Sequence, residues 1–273
     1  MTRVSIIGLG WLGEPLANYL RANGFEVKGS TTQTEKAKRL NQQGIEASRL
    51  KFNPHPEGDR FQHLFDTDIL FVNIPPRTRT MPESFHPEQI KFIKEMAIQA
   101  HVPWIIFVSS TSVYPDKGQI AKESDDLSQE GNGNQAIIKA EEVLRSAPCP
   151  FDWTIIRFGG LLGADRIPGK YFSGKENVIG DSPVNYIHQE DAVRLAAWVI
   201  QQEIKNEIIN GVAPLHPQRK AIYEKNALEL GFAPPVSYAS AGNSWKEING
   251  NKIMESGFEF KFPNPLDFTY RLE

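Results

Sequence analysis

The six residues Gly8-Leu9-Gly10-Trp11-Leu12-Gly13 constrain this chain more than any other stretch. They follow residues 3–7, which read as a buried strand, and lead into a helix opened by Glu14 and Pro15 and closed by Gly24. Proline suits the first helical turn, where its missing N–H is not needed, and glycine past the end accepts a left-handed cap. Between a strand and a helix, a GxGxxG run has a physical purpose. Its glycines permit a tight turn, let backbone N–H groups approach a pyrophosphate, and let the helix pack closely on the sheet, while the helix dipole favours an anion. Gly8, Gly10, Trp11, Leu12 and Gly13 are therefore the expected dinucleotide cradle; the alternative is a merely compact turn.

The rest of the chain continues the alternation. Further strands are expected at residues 25–29, 45–52, 68–74, 104–108, 153–157 and 207–210, and helices at 34–43, 87–100, 134–145 and 189–202, with a short one near 61–65. Residues 53–60 mix prolines, a glycine and charges without periodicity and read as loop. The runs at 68–74 and 104–108 are almost wholly apolar, the pattern of strands buried on both faces. The fold class is α/β: a Rossmann-type, doubly wound parallel sheet with right-handed crossovers and a small discontinuous C-terminal cap domain. The cap follows from arithmetic, because 273 residues exceed a lone nucleotide-binding domain of about 150 by roughly a hundred. The alternation breaks at 114–133, 159–186 and 213–273, so residues 1–158 and 187–212 are assigned to the NAD(P)-binding domain and residues 159–186 and 213–273 to a substrate-binding cap.

Composition removes several functions. With 30 Lys+Arg against 33 Asp+Glu there is no basic excess to displace counter-ions from a nucleic acid. The single Cys149 makes no disulfide or thiolate zinc site, the histidines lack metal-ligand spacing, and no metal site is expected. No apolar stretch approaches the roughly 18 to 20 residues of a membrane span, and the first strand leaves no room for a signal sequence, so the expected setting is cytoplasmic.

An NAD-selective site wants an acidic side chain at the end of the second strand. Here that place reads Val27-Lys28-Gly29-Ser30-Thr31-Thr32, and Glu26 lies at the wrong end. Ser30 and Thr31 can donate to a 2′-phosphate, and Lys36 or Arg39 can supply charge, so NADP is expected over NAD. The alternative is that Thr31 to Thr34 only cap the next helix. Pro75, at the carboxyl end of the 68–74 strand, lines the cofactor groove or forms a rigid turn without ligand contact.

Three later segments extend the pattern: Ser109-Ser110-Thr111-Ser112-Val113-Tyr114, Arg157-Phe158-Gly159-Gly160-Leu161-Leu162-Gly163, and Ile187-His188-Gln189-Glu190-Asp191-Ala192. With GLGWLG, these four ordered motifs resemble the extended and atypical short-chain dehydrogenase/reductases, the NAD-dependent epimerase/dehydratase group, and the whole length resembles the bacterial YeeZ-like atypical members. The resemblance implies an oxidoreductase or epimerase/dehydratase-like enzyme acting on a small polar metabolite. It also implies a substrate-orienting hydroxyl at Ser110, and a Tyr-x-x-x-Lys on the next helix whose lysine holds the nicotinamide ribose. Lys139 fits the lysine place, but the tyrosine place holds Gln135, whose amide has no proton to give at neutral pH. Tyr114, or Tyr171 or Tyr186 from the cap, is the candidate replacement acid; for Tyr114 the alternative is an aromatic that anchors its loop. A protein that binds NADP without turnover, a sensor or interaction module, is the rival reading. A β-hydroxyacid dehydrogenase-like reductase is the third, against which stand SSTSVY and the lack of long C-terminal helices.

Other residues take structural readings beside the chemical ones. His188 and Asp191 share one side of a helical turn, but Asp191 at a helix start points to a structural junction. Arg157 either contacts substrate or pairs with a cap carboxylate, and Arg166, Lys170 and Lys175 form either an anionic-substrate loop or a solvated one. A homodimer through the helices flanking the active-site strand is an option that the family implies, although Ile137, Ile138 and Val143 suit the sheet equally.

Overall fold

The computed structural model describes residues 1–128 and 133–272. The chain runs through β1 (Arg3–Ile7), α1 (Gly13–Ala22), β2 (Glu26–Thr31), α2 (Thr34–Gln42), β3 (Glu46–Phe52), β4 (Pro56–Gly58), β5 (Ile69–Val72), α3 (Phe85–Gln99) and β6 (Trp104–Ser110). It continues with β7 (Gln119–Ala121), α4 (Gln135–Arg145), β8 (Asp152–Phe158), β9 (Gly160–Leu162), β10 (Val178–Ile179), β11 (Tyr186–His188), α5 (Gln189–Gln201) and β12 (Glu207–Gly211). The last elements are α6 (Arg219–Leu230), β13 (Tyr238–Ala239), β14 (Lys246–Ile248) and α7 (Asn251–Glu255).

Eight strands form one sheet in the order β12-β8-β6-β5-β1-β2-β3-β4. β1 runs parallel to both β2 and β5, β2 to β3, and β5 to β6, as the doubly wound expectation requires. Residues 53–60, expected as loop, contain an edge strand: β4 pairs antiparallel with β3, Leu50 opposite Gly58. An edge position tolerates Pro56, which has no N–H to donate. Gly58 is required because a Cβ there would lie 2.4 Å from the Arg49 carbonyl. The strand is formed by its partner rather than by its own residues.

The sheet is filled by the apolar runs that announced it. Ile6, Leu70 and Phe71 are fully buried, and Ile90, Ile93 and Ala97 of α3 join Leu70, Ile105 and Phe107 in one cluster. Those α3 residues recur at helical spacing and so share a face. The buried Lys94 ties α3 to α4: its Nζ donates to the Val143 carbonyl at 2.9 Å, to the Ser146 hydroxyl at 3.1 Å and to the Ser146 carbonyl. A cation at a helix C-terminus satisfies carbonyls that the helix leaves over.

The chain divides into two compact units, residues 1–113, 134–156 and 196–208, and residues 114–133, 157–195 and 209–273; of the second, 129–132 and 273 lie outside the described residues. The second unit holds the parallel pairs β9–β11, β10–β13 and β7–β14. Asp191, wholly buried, pins its C-terminal tail: the carboxylate accepts from the Lys261 and Phe262 amides and from Arg194 Nη1, each at 2.8 Å. His188 packs against the Phe262 and Phe268 rings, 4.1 and 5.3 Å away, and burial pushes its pKa down. Among the described residues no helix is long and apolar enough to cross a membrane, and no cluster of three His, Cys, Asp or Glu offers a metal site.

Replacing Asp191 by Ala leaves two amides and a guanidinium without their acceptor. Urea unfolding is expected to show a loss of about 3 kcal/mol, against less than about 1 kcal/mol for a surface carboxylate such as Glu35.

Candidate dinucleotide-binding site

The strand order reverses at β1, which has β2 on one side and β5 on the other. In such sheets the crevice outside the strand carboxyl ends is the ligand site. Gly8 leaves β1 at φ +112°, a conformation that side chains resist, and a Cβ there would lie 2.3 Å from the Asn73 carbonyl oxygen. A Cβ on Gly13 would lie 2.2 Å from the Gly8 carbonyl oxygen. Gly10 differs, since a Cβ there would meet nothing within 4 Å. Two glycines are thus required by protein packing, and the third keeps space open. No side chain caps α1 at Leu12; in its first turn the Glu14 amide donates to the Gly10 carbonyl at 3.1 Å and Pro15 has no N–H, which leaves the Gly13 end of the helix to face an anion.

The turn is braced from both neighbouring strands. The Gly8 amide donates to Ser30 Oγ at 3.2 Å and the Leu9 amide to the Ser30 carbonyl at 2.6 Å. From the other side Asn73 Nδ2 donates to the Gly8 carbonyl at 3.1 Å, and the Asn73 amide to the Ile7 carbonyl at 2.9 Å. Sequence reading missed Asn73. Its signal was a lone amide side chain at the carboxyl end of an otherwise apolar strand.

A groove of about 300 Å³ opens beside the turn. Of the expected cofactor residues it is lined by Gly8, Gly10, Ser30, Thr31 and Pro75; Trp11, Leu12, Gly13 and Lys139 are not part of its lining. Leu50, Phe52 and Ile74 contribute apolar surface, and the charged lining residues are Lys36, Lys51 and Arg77, with no carboxylate. Thr31 Oγ1 also accepts from the Gln33 amide at 3.4 Å, a cap-like contact. Lys36 and Arg39 both engage Glu14, at 2.8 and 2.9 Å. Burial opposes ionisation of Glu14, but hydrogen bonds from Lys36 and Arg39 outweigh it and hold the carboxyl below its usual range. Gln89, also in the lining, is held by the Phe52 carbonyl at 2.9 Å and by His86 Nδ1 at 3.0 Å.

The catalytic candidates have separate surroundings. Ser110 Oγ accepts from the Ser112 amide at 3.1 Å, and the neighbouring Ser109 donates to the buried Glu141 at 2.5 Å. Lys139 is exposed and paired with Glu83, which raises its pKa. Gln135 lies one helical turn before it, on the same face of α4. Tyr114 belongs to the second unit and is 1% exposed. Its hydroxyl accepts from Arg157 Nη1 at 2.8 Å and donates to Asn210 Oδ1 at 2.9 Å, and burial pushes its pKa up to about 12. These are the contacts of the anchoring alternative, and they engage Arg157 as well. In the same unit Tyr171 is 63% exposed, and burial pushes the Tyr186 phenol up.

A glycine cradle at the switch point of a doubly wound sheet, beside a cationic groove, defines a nicotinamide-dinucleotide protein, and the comparisons agree. The sequence profile of the NAD(P)H-binding family matches residues 8–202, and the chain belongs to that family. It is 34% identical over 270 residues to the protein YeeZ of Escherichia coli (strain K12), covering 97% of this chain and 98% of that one. Two solved structures share the fold. A short-chain dehydrogenase/reductase superfamily protein from Agrobacterium tumefaciens with bound NAD superposes with a TM-score of 0.73 at 15% identity, over 95% of this chain and 93% of that one. A human epimerase family protein with NADPH gives 0.70 at 16% identity, over 96% of each chain.

Two predictions follow from this geometry. Gly10→Ala is expected to keep the wild-type melting temperature yet weaken nicotinamide-cofactor binding at least about tenfold, read by isothermal calorimetry, because its methyl group fills the open cradle rather than protein. Burial lowers the folded pKa of His86, so the unfolded chain takes up its proton first as pH falls. Stability from this residue is present above about pH 6.5 and is lost as pH falls towards the folded pKa. Denaturation between pH 7 and 5 is expected to show a smaller loss for His86→Gln.

Proposed function

We propose that the protein is an NADP-preferring oxidoreductase or epimerase/dehydratase-like enzyme acting on a small polar metabolite in the cytoplasm. The groove's charge carries the cofactor choice: Lys36, Lys51 and Arg77 line it and no carboxylate does. A 2′-phosphate meets attraction there, and the acidic partner that an unphosphorylated ribose seeks is missing. Gly8, Gly10 and Gly13 with the start of α1 hold the pyrophosphate, Ser30 and Thr31 face the adenosine ribose, and Pro75 borders the groove. Bound nicotinamide supplies or accepts the hydride. The chain orients the substrate oxygen through Ser110 and the nicotinamide ribose through Lys139. Residues 159–186 and 213–273 serve as the substrate cap, and the working form is a homodimer, read by sedimentation.

One pair of observations favours a second reading, an NADP-binding sensor or interaction protein without turnover. The tyrosine place holds Gln135, and the Tyr114 hydroxyl is buried in bonds to Arg157 and Asn210. Hydride transfer from NADPH to ketones and imines, together with epimer interconversion or loss of water from sugar nucleotides, decides between them, since tight binding with none of these reactions selects the sensor. Lys139→Ala is expected to weaken NADPH binding about tenfold. Tyr114→Phe should leave that affinity unchanged and lower stability by about 1 to 2 kcal/mol in urea unfolding.

A further inference from the structure

We propose that Glu14 moderates the cofactor preference of the groove, as a built-in counter-ion that competes with an adenosine 2′-phosphate for Lys36. The inference rests on the reading that this groove holds a nicotinamide dinucleotide, and not on which of the two it prefers.

Lys36 lines the groove on the helix that follows β2, the strand whose carboxyl end meets the adenosine ribose in folds of this class. Its ammonium is 2.8 Å from Glu14 Oε2, and Arg39 Nη2 is 2.9 Å from Oε1 and 3.0 Å from Oε2 of the same carboxylate. One acid therefore occupies both cations. The Lys36 and Glu14 side chains are only 23% and 22% exposed, so water and salt screen this pair less than a surface pair. The other lining cations are less engaged. Lys51 comes no closer than 3.9 Å to Glu57, and Arg77 has no side-chain partner among the described residues.

Glu14 also has a reason to stay where it is, since it stands in the first turn of α1, where a carboxylate gains from the helix dipole. Binding a 2′-phosphate requires Lys36 to exchange one anion for another. A phosphate monoester carries about 1.5 to 2 negative charges near neutral pH and outcompetes a carboxylate, but the attraction gained is reduced by the bond given up. A 2′-hydroxyl carries no charge, leaves the Glu14 pair in place, and feels no such competition. Glu14 thereby lowers the affinity for NADPH while sparing NADH.

The test is paired titration of NADPH and NADH, read by isothermal calorimetry, on wild type, Glu14→Gln, Lys36→Met and the double variant. Glu14→Gln is expected to raise the NADPH-to-NADH affinity ratio roughly fivefold by tightening NADPH alone. Lys36→Met in the Glu14→Gln background is expected to remove that gain. Should the glutamine variant lack a cooperative thermal transition, Glu14→Ala, which has the highest helix propensity, repeats the measurement with the same expectation. An unchanged ratio overturns the proposal. So does equal tightening of both cofactors, which would mean that Glu14 acts on the shared pyrophosphate. If wild type prefers NADH and Glu14→Gln still shifts the ratio towards NADPH, the cofactor choice proposed above fails and the role of Glu14 stands. If no protein binds either cofactor, both fall.

Discussion

The approach of Gly8 to Asn73 is the contact on which the rest depends. β1 and β5 lie parallel with Ile7 opposite Val72, so both chains leave the sheet at the same level. They can turn there only because Gly8 adopts φ +112° and has no side chain to strike the Asn73 carbonyl. Asn73 returns a hydrogen bond to the Gly8 carbonyl, and Gly13 starts α1 directly against that same carbonyl. A side chain at Gly8 would add backbone strain on the order of 1 to 3 kcal/mol before any clash is counted.

Buried charges in this chain are committed to architecture. Lys94 closes the end of α4, and Asp191 gathers the amides of Lys261 and Phe262. Each is a charge removed from water, stable only because backbone dipoles and partners satisfy it. The charges that border the groove are more exposed, and their availability is graded by Glu14. Recognition of an anionic cofactor then depends on which cations remain unengaged, and a count of lysines and arginines does not reveal that.

The proposed catalytic residues show the same separation. Ser110 stays at the carboxyl end of β6 with its oxygen accepting from Ser112, and Lys139 stays exposed on α4. The hydroxyl of Tyr114 is bound on both sides, and its raised pKa of about 12 keeps the proton in place near neutral pH. A residue that looked reactive by its position in the SSTSVY segment is thus held by partners 43 and 96 residues away.

Much of the sheet was legible because its causes are local. Apolar runs such as 68–74 mark strands buried on both faces, and glycine spacing marks a turn that tolerates no side chain. β4 was not legible, because its Pro56 and Gly58 suit a strand only at an edge with β3 as partner. The short pairs β10–β13 and β7–β14 were missed for the same reason, each being two or three residues long and dependent on a distant segment. Of the groove's lining, Gly8, Gly10, Ser30, Thr31, Lys36 and Pro75 were among the residues singled out from the sequence, while Asn73, Lys51, Arg77 and Gln89 were not.

The sequence by itself determined the order of elements, the cradle and the family, since steric need, periodicity and motif spacing act over a few residues. Tertiary structure alone decided that Ser30 braces the turn, that the Tyr114 hydroxyl meets Arg157 and Asn210, and that Lys36 and Arg39 answer to Glu14, which is 25 residues before Arg39. Those outcomes depend on which side chains meet across elements far apart in the chain. Charge and hydrogen bonding act over distances in space, and spacing along the sequence does not report them.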